Sequence, residues 1–255
     1  MMQSRFRLLA TFLIAALLTS AKAGDYKKIK ENGVLYHAYI AKPSELRIHW
    51  KDVEGKPFRK LDALDAALKK QNRDVHFLGN AGIFMEGGMP LGIHVEAGKQ
   101  LRGPNQVKEA YGNFYLQPNG IFFIEGDSAK VVTTDAYLKG THTPRLATQS
   151  GPMLLIDGKK HPKFNKDSPN RFYRNGVGIL PDGRVILIIT DHAFFNTVNL
   201  YGFAEVFAKQ GCKNALFLDG GLSAVRIPDA KIRVETGGAL GPLLSVSTPK
   251  PQTGE

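Results

Sequence analysis

Arg174-Asn175-Gly176-Val177-Gly178-Ile179-Leu180-Pro181-Asp182-Gly183-Arg184-Val185-Ile186-Leu187-Ile188-Ile189 is two apolar, β-branched runs joined by Pro-Asp-Gly. Asp-Gly between such runs is a strong local signal for a tight turn, so the stretch predicts an antiparallel hairpin of Val177–Leu180 and Arg184–Ile189. Toward the C-terminus, Leu200, Phe203, Ala204, Phe207 and Ala208 recur at three-to-four spacing, which predicts a helix over Asn199–Gln210 closed by Gly211. A buried strand, Ala215–Leu218, is expected next. Toward the N-terminus, Phe114–Leu116 and Ile121–Ile124 flank Pro118-Asn119-Gly120 and read as a second hairpin. Val34–Ile40 and Leu46–Trp50 read as a third. Leu61, Leu64, Ala67 and Leu68 predict an amphipathic helix over Lys60–Lys70 before a strand at Val75–Leu78. Without repeats or long linkers, the expectation is an α+β fold: mixed, largely antiparallel sheets with a few helices in a single domain.

Composition narrows the class. The 255 residues are 43% hydrophobic and 22% charged, as in globular proteins. Arg5 and Arg7 precede an apolar run, Leu8–Leu18, and then Ala21-Lys22-Ala23. This reads as a secretory signal peptide over residues 1–23, too short for an ordinary membrane span. A domain is expected over residues 24–247, with a flexible Pro- and Gly-bearing tail over 248–255. Cleavage after Ala23 would remove Arg5, Arg7 and Lys22 and lower the net charge from +11 to +8. The expected product is periplasmic or secreted, with no integral membrane segment. Its basic charge favours anionic partners. Basic residues are dispersed and no aromatic-and-basic motif appears, so no nucleic-acid partner is expected. The single cysteine, Cys212, excludes an intramolecular disulfide and a cysteine-based metal site.

Chemistry gathers where apolar strands end. Leu218-Asp219-Gly220-Gly221-Leu222-Ser223 sends a carboxylate off a strand into two glycines, which suits either a capped turn or close approach of a ligand. Asn80-Ala81-Gly82-Ile83-Phe84 has the same design and offers Asn80 to a sugar hydroxyl or to its own turn. Gln149-Ser150-Gly151-Pro152 supplies an amide and a hydroxyl, but no G-x-S-x-G elbow accompanies Ser150, which argues against a serine nucleophile. Arg171 and Arg174 precede Asn175-Gly176-Val177-Gly178. An arginine there suits bidentate phosphate contact, or a surface ion pair. Asp191-His192 adds a second carboxylate and an imidazole. The seven histidines lack H-E-x-x-H spacing, so no metal site is assigned, although a divalent cation such as calcium on Asp219 or Asp191 stays open.

In order along the chain, Asn80-Ala81-Gly82-Ile83-Phe84 with Pro90-Leu91-Gly92, Gly112-Asn113-Phe114 with Pro118-Asn119-Gly120, Gln149-Ser150-Gly151-Pro152, Arg174-Asn175-Gly176-Val177-Gly178 and Leu218-Asp219-Gly220-Gly221-Leu222-Ser223 form a specific set. The set resembles the phosphodiester glycosidase family, in its bacterial exported branch, over roughly Val34 to Pro228. The resemblance implies hydrolysis of a sugar joined through its anomeric oxygen to a phosphodiester, of the N-acetylglucosamine type, in a phosphate-linked envelope or capsule-type glycan. It implies pocket positions at Asn80, Arg174, Asp219 and Ser223. Asp219 and Arg174 are then the catalytic candidates, and Asn80, Gln149, Ser150, Asn175, Gly220, Ser223 and His192 the substrate-binding ones. Asp191 is the second choice for a partner carboxylate. No cofactor is required by this reading. The alternative is a non-catalytic periplasmic glycan-binding or envelope-associated protein of the same fold.

Overall fold

The structure is a computed structural model describing residues 24–192 and 196–251. The signal peptide expected over residues 1–23 and the last residues of the expected tail, 252–255, lie outside the described residues. Three antiparallel sheets form the frame. The largest has seven strands in the order β1 (Asp25–Glu31), β2 (Val34–Ala41), β13 (Val185–Thr190), β12 (Asn175–Ile179), β14 (Ala215–Phe217), β10 (Met153–Ile156) and β11 (Lys159–Lys160). The second runs β16 (Ile232–Glu235), β15 (Ala224–Ile227), β4 (Arg73–Asn80), β17 (Leu243–Pro249) and β3 (Leu46–His49). The third runs β6 (Lys99–Arg102), β5 (His94–Glu96), β9 (Leu146–Ser150), β7 (Gly120–Glu125) and β8 (Ser128–Thr133). The inner faces of all three meet in one core, where Val177, Leu187 and Leu216 pack with Phe77, Val225, Leu244, Phe122 and Ile124.

Helices cover the outer faces. Helix α1 (Leu61–Lys70) lays Leu61, Leu64 and Leu68 on the second sheet, α2 (Thr134–Leu138) sets Tyr137 on the third, and α3 (Leu200–Lys209) sets Phe203 and Phe207 on the first. Asn199 caps α3 by accepting the Gly202 N–H at 2.8 Å, and Gly211 ends it at φ +83°. Asp65 enters the buried side of α1 because Arg226 and Lys69 neutralise it at 3.1 and 2.8 Å. Among the described residues no helix is long and apolar enough to cross a membrane.

The Pro181-Asp182-Gly183 hairpin forms as the sequence predicts, with the Leu180 N–H donating to Arg184 O at 2.9 Å and Gly183 at φ +84°. Two other hairpins do not. Val34–Ala41 and Leu46–His49 stand in different sheets; β2 pairs instead with the lysine-rich edge strand β1 across Asn32-Gly33, whose φ values of +48° and +80° are those a two-residue turn needs. At Pro118-Asn119-Gly120 neither Asn119 nor Gly120 takes a positive φ. Asn119 Nδ2 donates to Phe114 O at 3.0 Å, residues Asn113–Tyr115 coil into one 3₁₀ turn, and β7 pairs with β8 and β9. The segment expected as a tail from Thr248 is paired through Pro249, and the Lys250 N–H donates to Asn72 O.

Candidate active site

The first and second sheets bring their polar strand ends together. Asn175, which opens β12, stands opposite the point where β14 runs into Leu218-Asp219. Its N–H donates to Asp219 O at 3.2 Å, its C=O accepts from the Leu218 N–H at 3.1 Å, and its side-chain Oδ1 accepts from the Asp219 N–H at 2.8 Å. The other end of the same amide, Nδ2, donates to Asn80 Oδ1 at 2.6 Å, at the close of β4. Asn80 in turn donates to Leu222 O at 2.8 Å and accepts from the Ala224 N–H at 3.0 Å. Ser223 Oγ donates to Asp219 O at 3.2 Å and lies 3.4 Å from Asn175 Nδ2. Two buried amides thus clamp both ends of the loop 219–224 and fix where its carboxylate sits. Glycine is required beside it: a Cβ on Gly220 would stand 2.8 Å from the Phe217 ring and 3.0 Å from Tyr173 O.

Asp219 is half-buried, and its Oδ1 accepts the Gly221 N–H at 3.2 Å. Burial is the dominant influence and raises its pKa from 3.8 to about 6, while the N–H groups of Gly220, Gly221 and Leu222 pull the other way. Such a carboxylate is ionised at neutral pH yet basic enough to take a proton near it. A second polar relay closes the same end of the first sheet. Tyr26 Oη lies 2.9 Å from His37 Nδ1, and His37 Nε2 lies 3.1 Å from Asp191 Oδ2. Burial lowers the pKa of His37. His37, Asn80 and Asn175 share the lining of one cavity of about 20 Å³, room for about a single water. His37 escaped the sequence reading because its partner Asp191 is 154 residues away, joined only by the β2–β13 pairing.

The remaining expected site residues fall elsewhere. Arg174 is only 3% exposed, and its side chain leaves the amide clamp: Nε donates to Val198 O at 3.2 Å, Nη2 donates to Asn170 O at 3.1 Å, and the guanidinium stands 5.3 Å from both the Phe172 and Phe217 rings. Burial lowers its pKa to about 10, leaving it charged at neutral pH. Ser150 is fully buried, donates to Leu218 O at 2.6 Å and accepts from the Ile83 N–H at 3.3 Å. It braces the strand before Asp219. Gln149 belongs to the interior of the third sheet, accepting from the Ile93 and Asn105 N–H groups and donating to Thr134 Oγ1. His192 packs on the Tyr173 ring at 4.3 Å, with its pKa lowered chiefly by burial. Arg171 donates to Thr197 O at 2.6 Å. Cys212 is buried, and burial pushes its thiol pKa up to about 12, which disfavours the thiolate a nucleophile needs. Among the described residues, no three His, Cys, Asp or Glu side chains converge in a metal-holding group.

The family model described as phosphodiester glycosidase matches residues 74–237. An uncharacterized protein of Escherichia coli, YigE, is 32% identical over 216 residues, covering 83% of this chain and 82% of its own. The catalytic domain of zebrafish N-acetylglucosamine-1-phosphodiester alpha-N-acetylglucosaminidase, auto-inhibited by its pro-peptide, shares the fold at TM-score 0.60 and 18% identity, over 88% of this chain and 81% of that one. A hypothetical protein from Synechocystis shares it at TM-score 0.57 and 12% identity, over 88% of this chain and 62% of that one. The family match takes in Asn80, Asn175 and Asp219, the residues the fold ties together, and by that match the chain belongs to the phosphodiester glycosidase family.

Proposed function

We propose that the chain is an exported hydrolase that cleaves a sugar-1-phosphodiester linkage, of the N-acetylglucosamine type, in envelope or capsule-type glycans. Family membership supports the hydrolytic part. The observation that carries the chemistry is Asp219, locked in place by Asn175 and Asn80 with its pKa raised to about 6. In the reaction the bond between the anomeric carbon and its oxygen breaks. The phosphate monoester leaves with the bonding electron pair, as a stable anion that needs less proton donation than an alcohol. Asp219 acts at the sugar, either taking the proton of the attacking water or attacking the anomeric carbon itself before water completes hydrolysis. The amide clamp contributes by holding the carboxylate in one position before substrate arrives, which lowers the entropic part of the barrier.

The test compares substrates. Purified protein is given an N-acetylglucosamine-1-phosphodiester and, separately, a neutral aryl N-acetylglucosaminide. Release of free sugar from the phosphodiester alone is expected. Equal turnover of the neutral glycoside would make the protein a general glycosidase, and no release from either would favour a glycan-binding role.

A further inference from the structure

On the α3 side of the first sheet lies a cavity of about 200 Å³. Arg174, Lys163, Asn113, Ser168, Asn170 and Tyr201 are among its lining residues, and no Asp or Glu is. Two cations therefore share it with uncharged hydrogen-bonding groups, and among the described residues neither cation forms an ion pair. For Lys163 that is ordinary, since it is exposed. For Arg174 it is not: a guanidinium 3% exposed has lost most of its hydration and gains in return two backbone carbonyls and the Phe172 and Phe217 rings, none of which carries a negative charge. Among the described residues, its Nη1 makes no hydrogen bond. Buried charge of this kind ordinarily has a counter-ion, and no carboxylate lines the cavity to supply one.

Two further features favour an anion. Leu200 and Tyr201, the first residues of α3, line the cavity, and no acidic residue stands in that first turn, so the positive end of the helix dipole adds to the field. Arg174 also ties the cavity to the carboxylate loop through the backbone, since it precedes Asn175, whose Oδ1 accepts the Asp219 N–H. The Phe217 ring that carries Arg174 on one side is the ring a Cβ on Gly220 would strike.

We infer that this pocket binds a phosphate-class tetrahedral oxyanion and seats the phosphoryl group of the substrate, with Arg174 and Lys163 as its charged contacts. This rests on the hydrolytic reading above and adds where the phosphate goes. A guanidinium fork fits two phosphate oxygens, whereas an ammonium supplies only a point charge, so the two residues are not equivalent. The position of the pocket also explains how Arg174 can serve the reaction without joining the amide clamp.

The experiment has two arms. In the first, inorganic phosphate is titrated calorimetrically into the purified chain and into Lys163→Gln and Arg174→Lys. Lys163 is exposed, so its variant folds even where the Arg174 variant is compromised. Saturable binding of one phosphate is expected, weakened roughly tenfold to a hundredfold in each variant. Absence of saturable binding, or wild-type affinity in Lys163→Gln and in a folded Arg174→Lys, overturns the proposal. In the second arm, inorganic phosphate is added to hydrolysis of the sugar phosphodiester. Competitive inhibition, lost in parallel with binding, places the substrate phosphoryl in the pocket, while phosphate that binds without competing refutes that placement. A chain that binds phosphate through these residues but releases no sugar keeps the oxyanion site and sinks the hydrolytic reading instead.

Discussion

Replacing Asn175 with alanine removes the residue on which the clamp turns. Its side chain makes two short bonds, at 2.6 Å to Asn80 Oδ1 and at 2.8 Å from the Asp219 N–H, the first buried and the second part-buried. Each is worth about 1 kcal/mol net, and the Asp219 N–H, left without its acceptor at a buried strand end, adds about 1 to 3 kcal/mol. Asn80 keeps its bonds to Leu222 and Ala224, which limits the damage. The expected loss is about 2 to 4 kcal/mol, or a fall in Tm of roughly 5 to 15 °C for a chain of this size. Denaturant titration and calorimetry measure it, and a cycle with Asn80→Ala isolates the amide pair, whose coupling should exceed about 0.5 kcal/mol. Asn175→Asp should be no better than alanine, because it turns an acceptor toward Asn80 Oδ1. If Asn175→Ala melts within about 2 °C of wild type, or the cycle is additive, the clamp does not hold the loop and the argument for a preset Asp219 fails.

Other consequences are equally direct. Burial raises the Asp219 pKa from 3.8 to about 6, so the native state holds this proton more tightly than the unfolded chain does. The resulting stabilisation is complete below about pH 4 and lost as pH rises through about 6. Asp219→Asn should therefore stabilise the fold by about 1 to 3 kcal/mol near pH 8 and have little effect near pH 4; equal shifts in denaturant midpoint at the two pH values would refute the assignment. Ser150→Ala should cost about 1 to 2 kcal/mol in denaturant titration through its bonds to Leu218 and Ile83, while kcat of the folded enzyme stays within about twofold. A collapse of turnover in a folded Ser150→Ala would make Ser150 a nucleophile after all. Gly176→Ala would bring a Cβ to 2.8 Å from Leu216 O in the neighbouring strand, and should lower stability by about 1 to 3 kcal/mol; an unchanged melt would show that β12 and β14 lie farther apart.

What the sequence disclosed, and what it hid, follows the range of the interactions. The Pro181-Asp182-Gly183 hairpin, α1 and α3 are set by neighbours within a few residues, and local pattern was enough to find them. Asn-Gly misled at Pro118-Asn119-Gly120, where the Asn119 side chain reached back to Phe114 O and the strand was taken up by β8 and β9 instead. The same dipeptide at Asn32-Gly33 did make a two-residue turn, but its partner strand β1 is charged, as an edge strand is, and shows no apolar alternation. In the site, Asn80, Asn175 and Asp219 each ended or opened an apolar strand, which is why they stood out. The fold alone determines that Asn175 bonds Asn80 across 95 positions while Arg174, its neighbour in sequence, turns to the opposite face beside Phe217. Gln149 and Ser150, at strand ends that also drew notice, are buried and bonded within the fold, as polar groups at buried strand ends must be whether or not a ligand ever comes.

The central claim is that Asp219 performs the chemistry on a sugar phosphodiester. The direct measurement is kcat/KM for release of free sugar from an N-acetylglucosamine-1-phosphodiester by wild type and by Asp219→Asn, each confirmed folded, across about pH 4 to 9. Wild type should lose activity in acid with an apparent pKa near 6, and the isosteric amide should fall at least roughly a hundredfold at every pH. Equal activity of the two proteins, or a wild-type profile with no acid limb, would contradict it.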